Sequence, residues 1–91
     1  MKETQVSTKM VKWLNEQPET YAFKYFAGSV YAVKGIPDIL VIRKGKLIGL
    51  EVKIGNNKPT EVQLERHKEM RAAGADVYVV YSLDEVKEIF K

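Results

Sequence analysis

The sequence predicts an α/β fold, a mixed sheet of four strands flanked by helices in the order helix, three strands, helix, strand, helix. Three observations carry this reading. Val6, Met10, Trp13 and Leu14 recur at helical spacing near the start of the chain. Two short apolar runs, Ile39–Arg43 and Leu47–Ile54, meet at Lys44-Gly45, a hairpin signal weaker than Asn-Gly. A helix-patterned stretch of crossover length then leads to the β-rich run Val77–Tyr81. That strand should therefore lie parallel to the one before it.

Taken in order, Lys2–Glu16 is the first helix. At about 100° per residue, Glu3 falls on its apolar stripe, between Val6 and Leu14 in angle. Glu3 is either a first-turn carboxylate favoured by the helix dipole or one turned toward a site. Asn15–Thr20 contains Pro18 and reads as a turn. Tyr21–Phe26 alternates and is the first strand, with Tyr21, Phe23 and Tyr25 on one face. Those aromatics are expected in the core rather than as platforms for stacked bases. Gly28-Ser29 ends the strand and leaves Val30–Val33 as either a short strand or a loop. Lys34, just ahead of Gly35, is placed either to reach a phosphate or to remain a solvated surface lysine.

Beyond the hairpin, Gly55-Asn56-Asn57-Lys58-Pro59 is a polar loop. Asn57 and Lys58 are positioned to touch a nucleic-acid backbone, although a plain connector has the same composition. Thr60 caps a helix that runs to about Ala73 and stops at Gly74. Thr60-Glu61-Val62-Gln63 forms a capping box, which gives Gln63 a structural role. Gln63 also shares the angle of Met70 and lies near His67, on the face that should meet the sheet. His67 is the single histidine, and with no cysteine or second histidine to share a metal it reads as packing. Ser82-Leu83-Asp84-Glu85 is a second capping box and opens a short final helix carrying Leu83, Val86, Ile89 and Phe90.

Ninety-one residues suit one domain with one modest core, residues 1–91. No apolar run is long enough to span a bilayer and no signal-peptide pattern opens the chain, so a cytoplasmic location without membrane is expected. The absence of cysteine excludes disulfides and thiolate metal sites. A net charge of +3 permits a nucleic-acid partner without demonstrating one. No Gly-rich phosphate loop and no Ser-His-acid or Cys-His set is present, which leaves little for covalent catalysis.

The chemistry concentrates at the hairpin. If Lys44-Gly45 is the centre of a two-residue turn, Arg43 faces Lys46 and Asp38 faces Glu51. Opposed residues hold their Cβ atoms roughly 4.5–5.5 Å apart, where two carboxylates repel. A divalent cation reverses that sign, because hard cations prefer carboxylate oxygen. Glu51 and Lys53 share one strand face, with Leu50, Val52 and Ile54 on the other. Asp, Glu and Lys thus gather on one polar patch of an apolar hairpin. The competing account is plain: Pro-Asp often opens a strand, and Glu-x-Lys is common on a solvated one.

Together, Pro37-Asp38 followed by Glu51-Val52-Lys53 resembles the PD-(D/E)xK nuclease motif. The Gly35-Ile36-Pro37-Asp38 lead-in and Gln63 downstream most resemble its virus-type replication–repair nuclease (VRR-NUC) branch. The resemblance covers nearly the whole chain. It implies a restriction-endonuclease-like core and an Mg²⁺-dependent endonuclease (Mn²⁺ as substitute) acting on branched or duplex DNA in replication or repair. It further implies that Asp38, Glu51 and the Val52 carbonyl hold the metal, with Glu3 assisting. Lys53 and Gln63 complete the catalytic set, and Lys34, Asn57 and Lys58 reach the nucleic acid. Small members of the family pair as homodimers, and its viral branch admits a phage-encoded origin. Two rivals stand beside this reading: a non-catalytic nucleic-acid-binding module on the same fold, and an RNA-directed nuclease. The complete Asp38, Glu51, Lys53 set argues against the first.

Overall fold

The computed structural model describes residues 2–91. Its elements follow the expected order: α1 (Glu3–Asn15), β1 (Thr20–Lys24), β2 (Ile39–Arg43), β3 (Lys46–Val52), α2 (Glu61–Ala72), β4 (Asp76–Val80) and α3 (Leu83–Ile89). The strands form one sheet in the order β1-β2-β3-β4. The first three are antiparallel, and β4 joins β3 in parallel through α2. Lys44 and Gly45 both take positive φ, 51° and 82°. That is the backbone of a two-residue turn whose twist matches the strands it joins. Arg43 accordingly pairs with Lys46 and Ile39 with Leu50, the register the turn demands.

The two faces of the sheet are built differently. Ala22, Val41 and Ile48 lie side by side across β1, β2 and β3, and they share their face with Ile39, Leu50 and Val52. All are buried against Met10 and Leu14 of α1 and against Val86 and Phe90 at α3, with Val6 and Trp13 packed around them. This aliphatic layer is the core. The opposite face receives only α2. Arg71 donates to the Val77 carbonyl at 2.7 Å, and Met70 lies over Gly49. A helix is about 10–12 Å across and strands are about 4.8 Å apart, so α2 covers the β3–β4 half and no more.

That geometry corrects the reading of the first strand. Tyr21 and Phe23 are on the uncovered half of the second face, exposed with Ile42 and Leu47 opposite them, while small Ala22 points into the core. Alternation reveals a strand's period but not which of its faces meets a helix. β1 also ends at Lys24, and the stretch 27–34 is a loop rather than a strand. The loop is turned by the Ala32 amide donating to the Ser29 carbonyl and tied at its base by the Val33 amide donating to the Tyr25 hydroxyl. At α3, Ser82 caps the Glu85 amide as expected, but the Glu85 carboxylate accepts from Tyr81 rather than from the cap itself. Among the described residues no helix is long and apolar enough to cross a membrane.

Gly49 is where β3 passes Pro37. A Cβ at that position would stand 2.6 Å from the proline Cγ and 3.1 Å from its Cβ, and a ring fixed in the backbone yields little. Gly49→Ala should therefore lower stability in urea denaturation by about 1–3 kcal/mol, the usual range for overpacking. Unchanged stability would mean that the Pro37 segment moves aside freely.

Candidate active site

Asp38 leaves the buried Pro37 just ahead of β2, at the point where the chain has passed under the start of α2. Gly35 makes that passage possible: a Cβ there would meet the Val62 carbonyl oxygen at 2.8 Å. One Asp38 oxygen, Oδ2, accepts the Val52 amide at 2.8 Å, which fixes the carboxylate against the end of β3. Across the hairpin Glu51 faces it, as the register requires. Asp38, Glu51, Val52, Lys53 and Gln63 are thus brought together.

Glu51 is fully buried, which excludes the competing account of a Glu-x-Lys pair on a solvated strand face. α2 lies directly on it. His67 Nε2 is 3.1 Å from Glu51 Oε1, and Gln63 Nε2 donates to Oε2 at 3.3 Å. Lys53 Nζ stands 4.0 Å from the same oxygen, at the limit of an ion pair. Its side chain is only 13% exposed, so the polar patch that carries Lys53 is largely shielded from solvent. Burial, then the hydrogen bond and negative charge of Asp38, push the Glu51 carboxyl up to about 9, against the opposing pull of Lys53. Glu3 adds to the upward push from α1. It lines a cleft with Asp38 and Val52, so the structure does bring it to the site's edge.

His67 is the residue sequence reasoning missed. It packs, as expected, but it packs onto Glu51 with no exposed surface, and its Nδ1 has no partner among the described residues. Burial and the nearby positive charge of Arg71 lower its pKa, so the ring is neutral. The available signal was its position four residues after Gln63 on the helix that the crossover lays over β3. Lys34, Asn57 and Lys58 are not gathered with the carboxylates. The Lys34 carbonyl accepts from Arg66 at 2.9 Å and that of Asn57 from Tyr81 at 2.9 Å, while all three side chains are exposed.

No group of three or more His, Asp or Glu side chains forms a metal cage among the described residues. The site instead offers two opposed carboxylates, one of them forced toward its neutral form by burial and by the other. Such a pair fits a hard divalent cation. Mg²⁺ characteristically takes one or two carboxylates and keeps water or substrate phosphate for the rest.

Comparison with protein-family models finds no match, and neither does comparison with curated proteins. Solved structures do match. One described as a VRR_NUC domain is 31% identical, covers 97% of this chain and 92% of its own, and superposes with a TM-score of 0.78. This chain belongs to the VRR_NUC family. A second VRR_NUC domain protein, 20% identical with a TM-score of 0.79, covers 99% of this chain and 85% of its own. Hjc, a Holliday junction resolvase from Archaeoglobus fulgidus, shares the fold at 19% identity and a TM-score of 0.66, over 87% of this chain and 67% of its own. The restriction-endonuclease-like core expected from the sequence is thereby borne out.

The Glu51 environment makes a prediction about pH. Between the unfolded value near 4.5 and the folded value of about 9, the native state of this VRR_NUC chain binds a proton that the unfolded state releases. Stability from this group is therefore complete below the lower value and is lost as pH rises toward the upper one. Glu51→Gln removes that titration. In urea denaturation with EDTA, the variant should gain on the parent by up to about 1.4 kcal/mol per pH unit between pH 5 and 8. A constant gap across that range would show that Glu51 ionises normally.

Proposed function

We propose that this chain is a metal-dependent endonuclease that hydrolyses DNA phosphodiester bonds. The observation carrying this reading is the buried Glu51 opposite Asp38, with Lys53 at the pair. The fold alone would not carry it, since one fold hosts many activities. Asp38 and Glu51 would hold Mg²⁺, with the Val52 carbonyl as a further oxygen ligand and Mn²⁺ as a substitute. A cation bound there lowers the pKa of coordinated water and offsets charge on the phosphate.

The remaining steps belong to the chain's own groups. Gln63 holds Glu51 Oε2 and the Val52 amide holds Asp38 Oδ2, so each carboxylate keeps one orientation as substrate arrives. Lys53, fixed beside Glu51 and largely shielded from solvent, orients the attacking water or neutralises the charge that develops on the phosphoryl oxygens. Glu3 contributes a third carboxylate at the edge of the cleft. A branched or duplex DNA substrate is supported by the resolvase among the structural neighbours. Pairing of two copies is supported by the apolar strip of Tyr21, Phe23, Ile42 and Leu47 left uncovered on the sheet. Sedimentation equilibrium reads that directly.

A labelled synthetic four-way junction and its linear duplex should be cut with Mg²⁺ and left intact with EDTA. Mg²⁺ should also raise the melting temperature, because a ligand bound only by the folded state stabilises it. Asp38→Ala should abolish both effects. Lys53→Met should abolish cutting while leaving the metal-induced shift in place. DNA that is bound but never cut would favour the non-catalytic module, and cutting confined to RNA the RNA-directed enzyme.

A further inference from the structure

Between α1 and the end of β1 lies a cleft of about 210 Å³ whose lining includes Glu3, Thr4, Lys24 and Phe26 on one side and Asp38 and Val52 on the other. Of the carboxylate pair only Asp38 lines it, and none of the residues assigned to DNA contact above belongs to it. Two of its side chains have no structural occupation equal to their chemistry. Lys24 follows Ala22 on the core-facing side of β1, yet it turns along α1. Its Nζ donates to Thr8 Oγ1 at 2.6 Å and to the Thr4 carbonyl at 3.4 Å. Both acceptors are neutral, and no carboxylate lies within 4 Å of that ammonium among the described residues. The hydroxyl and carbonyl therefore aim the group without neutralising it. Phe26, two residues on, is 82% exposed at the rim, an aromatic face that nothing in the fold covers.

A cation aimed by neutral acceptors and an uncovered ring, both lining one cleft that shares Asp38 with the candidate active site, match one chemical unit. That unit is a nucleotide of a polynucleotide strand, with its phosphate on Lys24 and its base against Phe26. We propose that this cleft is a nucleotide subsite adjoining the bond to be cut, with Lys24 as its phosphate-binding residue and Phe26 as its stacking residue. The proposal rests on the nuclease reading and adds to it the path of the strand: past Asp38 and along α1, not over the exposed Lys34 and Lys58.

Charge and stacking leave different signatures, so binding can separate them. The probe is a fluorescein-labelled synthetic DNA single strand, whose bases are free to stack, titrated with protein by anisotropy in Ca²⁺ over a series of NaCl concentrations. Lys24→Gln keeps a hydrogen-bonding side chain and removes the charge. The slope of log K against log salt should become shallower by about 0.7, the loss of one phosphate contact on a single strand, and Lys24→Arg should restore it. Phe26→Ala should weaken binding by roughly fivefold or more at every salt concentration with the slope unchanged. Phe26 is on the surface, so its variant decides the matter even if Lys24→Gln fails to fold. A parent protein that cuts DNA, with an unchanged slope in folded Lys24→Gln or unchanged affinity in Phe26→Ala, overturns the subsite and leaves the nuclease reading standing. A parent that neither binds nor cuts overturns both.

Discussion

Asp38 and Glu51 face each other across a hairpin whose register is locked by a two-residue turn, and much of the rest of the structure answers to that opposition. A slip of one residue would move Glu51 to the aliphatic face and Val52 under α2, reversing the burial of every side chain on β3. With the register held, the two carboxyls must share one small volume. α2 then removes Glu51 from water, which makes the opposition more costly. What remains is a carboxyl that retains its proton or accepts a cation in its place. His67, Gln63 and Lys53 are arranged around that choice, and the Val52 amide does the same for Asp38.

The division of labour between the sheet's faces follows from the single helix on one of them. On the α1–α3 side, burial is aliphatic and continuous from Met10 to Phe90, so folding stability is concentrated there. On the α2 side, Met70 lies over Gly49, Arg71 donates to the Val77 carbonyl, and His67 and Gln63 meet the Glu51 carboxyl. These contribute little apolar burial but define positions closely. α2 has one fully buried residue, His67, and that residue is on the site. The helix is held by the crossover and by specific polar contacts more than by a hydrophobic stripe. Substitutions around Glu51 can therefore change chemistry without removing much of the core.

Legibility in the sequence divided along the same line. The element order, the hairpin register and the meeting of Asp38 with Glu51 were all readable, because each depends on residues near in sequence or on a crossover with one allowed hand. The covered face of β1 was not readable. Tyr21 and Phe23 look like core by composition, but Ala22 is the residue that shares the α1 face with Val41, and the width of α2 leaves the other face of β1 uncovered. The burial of Lys53 and the contact of His67 with Glu51 failed for a related reason. Both depend on how far α2 lies over β3, a long-range fact to which neither residue's neighbours contribute. A histidine with no second ligand in the sequence looked structural, and it became part of the site through a carboxylate sixteen positions away.

Gln63 shows why two readings that compete in a sequence need not compete in a fold. Its Oε1 accepts the Thr60 amide at 2.8 Å, completing the capping box, while its Nε2 reaches Glu51 at 3.3 Å. A glutamate would serve the cap equally well, since the cap needs only an acceptor. It would bring a third carboxylate to the pair, with no hydrogen to donate while ionised. An alanine would serve neither. Only a side chain with an acceptor and a donor on one planar group performs both tasks, and at this length that is glutamine. The start of α2 and the orientation of Glu51 are consequently fixed by the same amide, so the helix that buries the carboxyl also sets its direction.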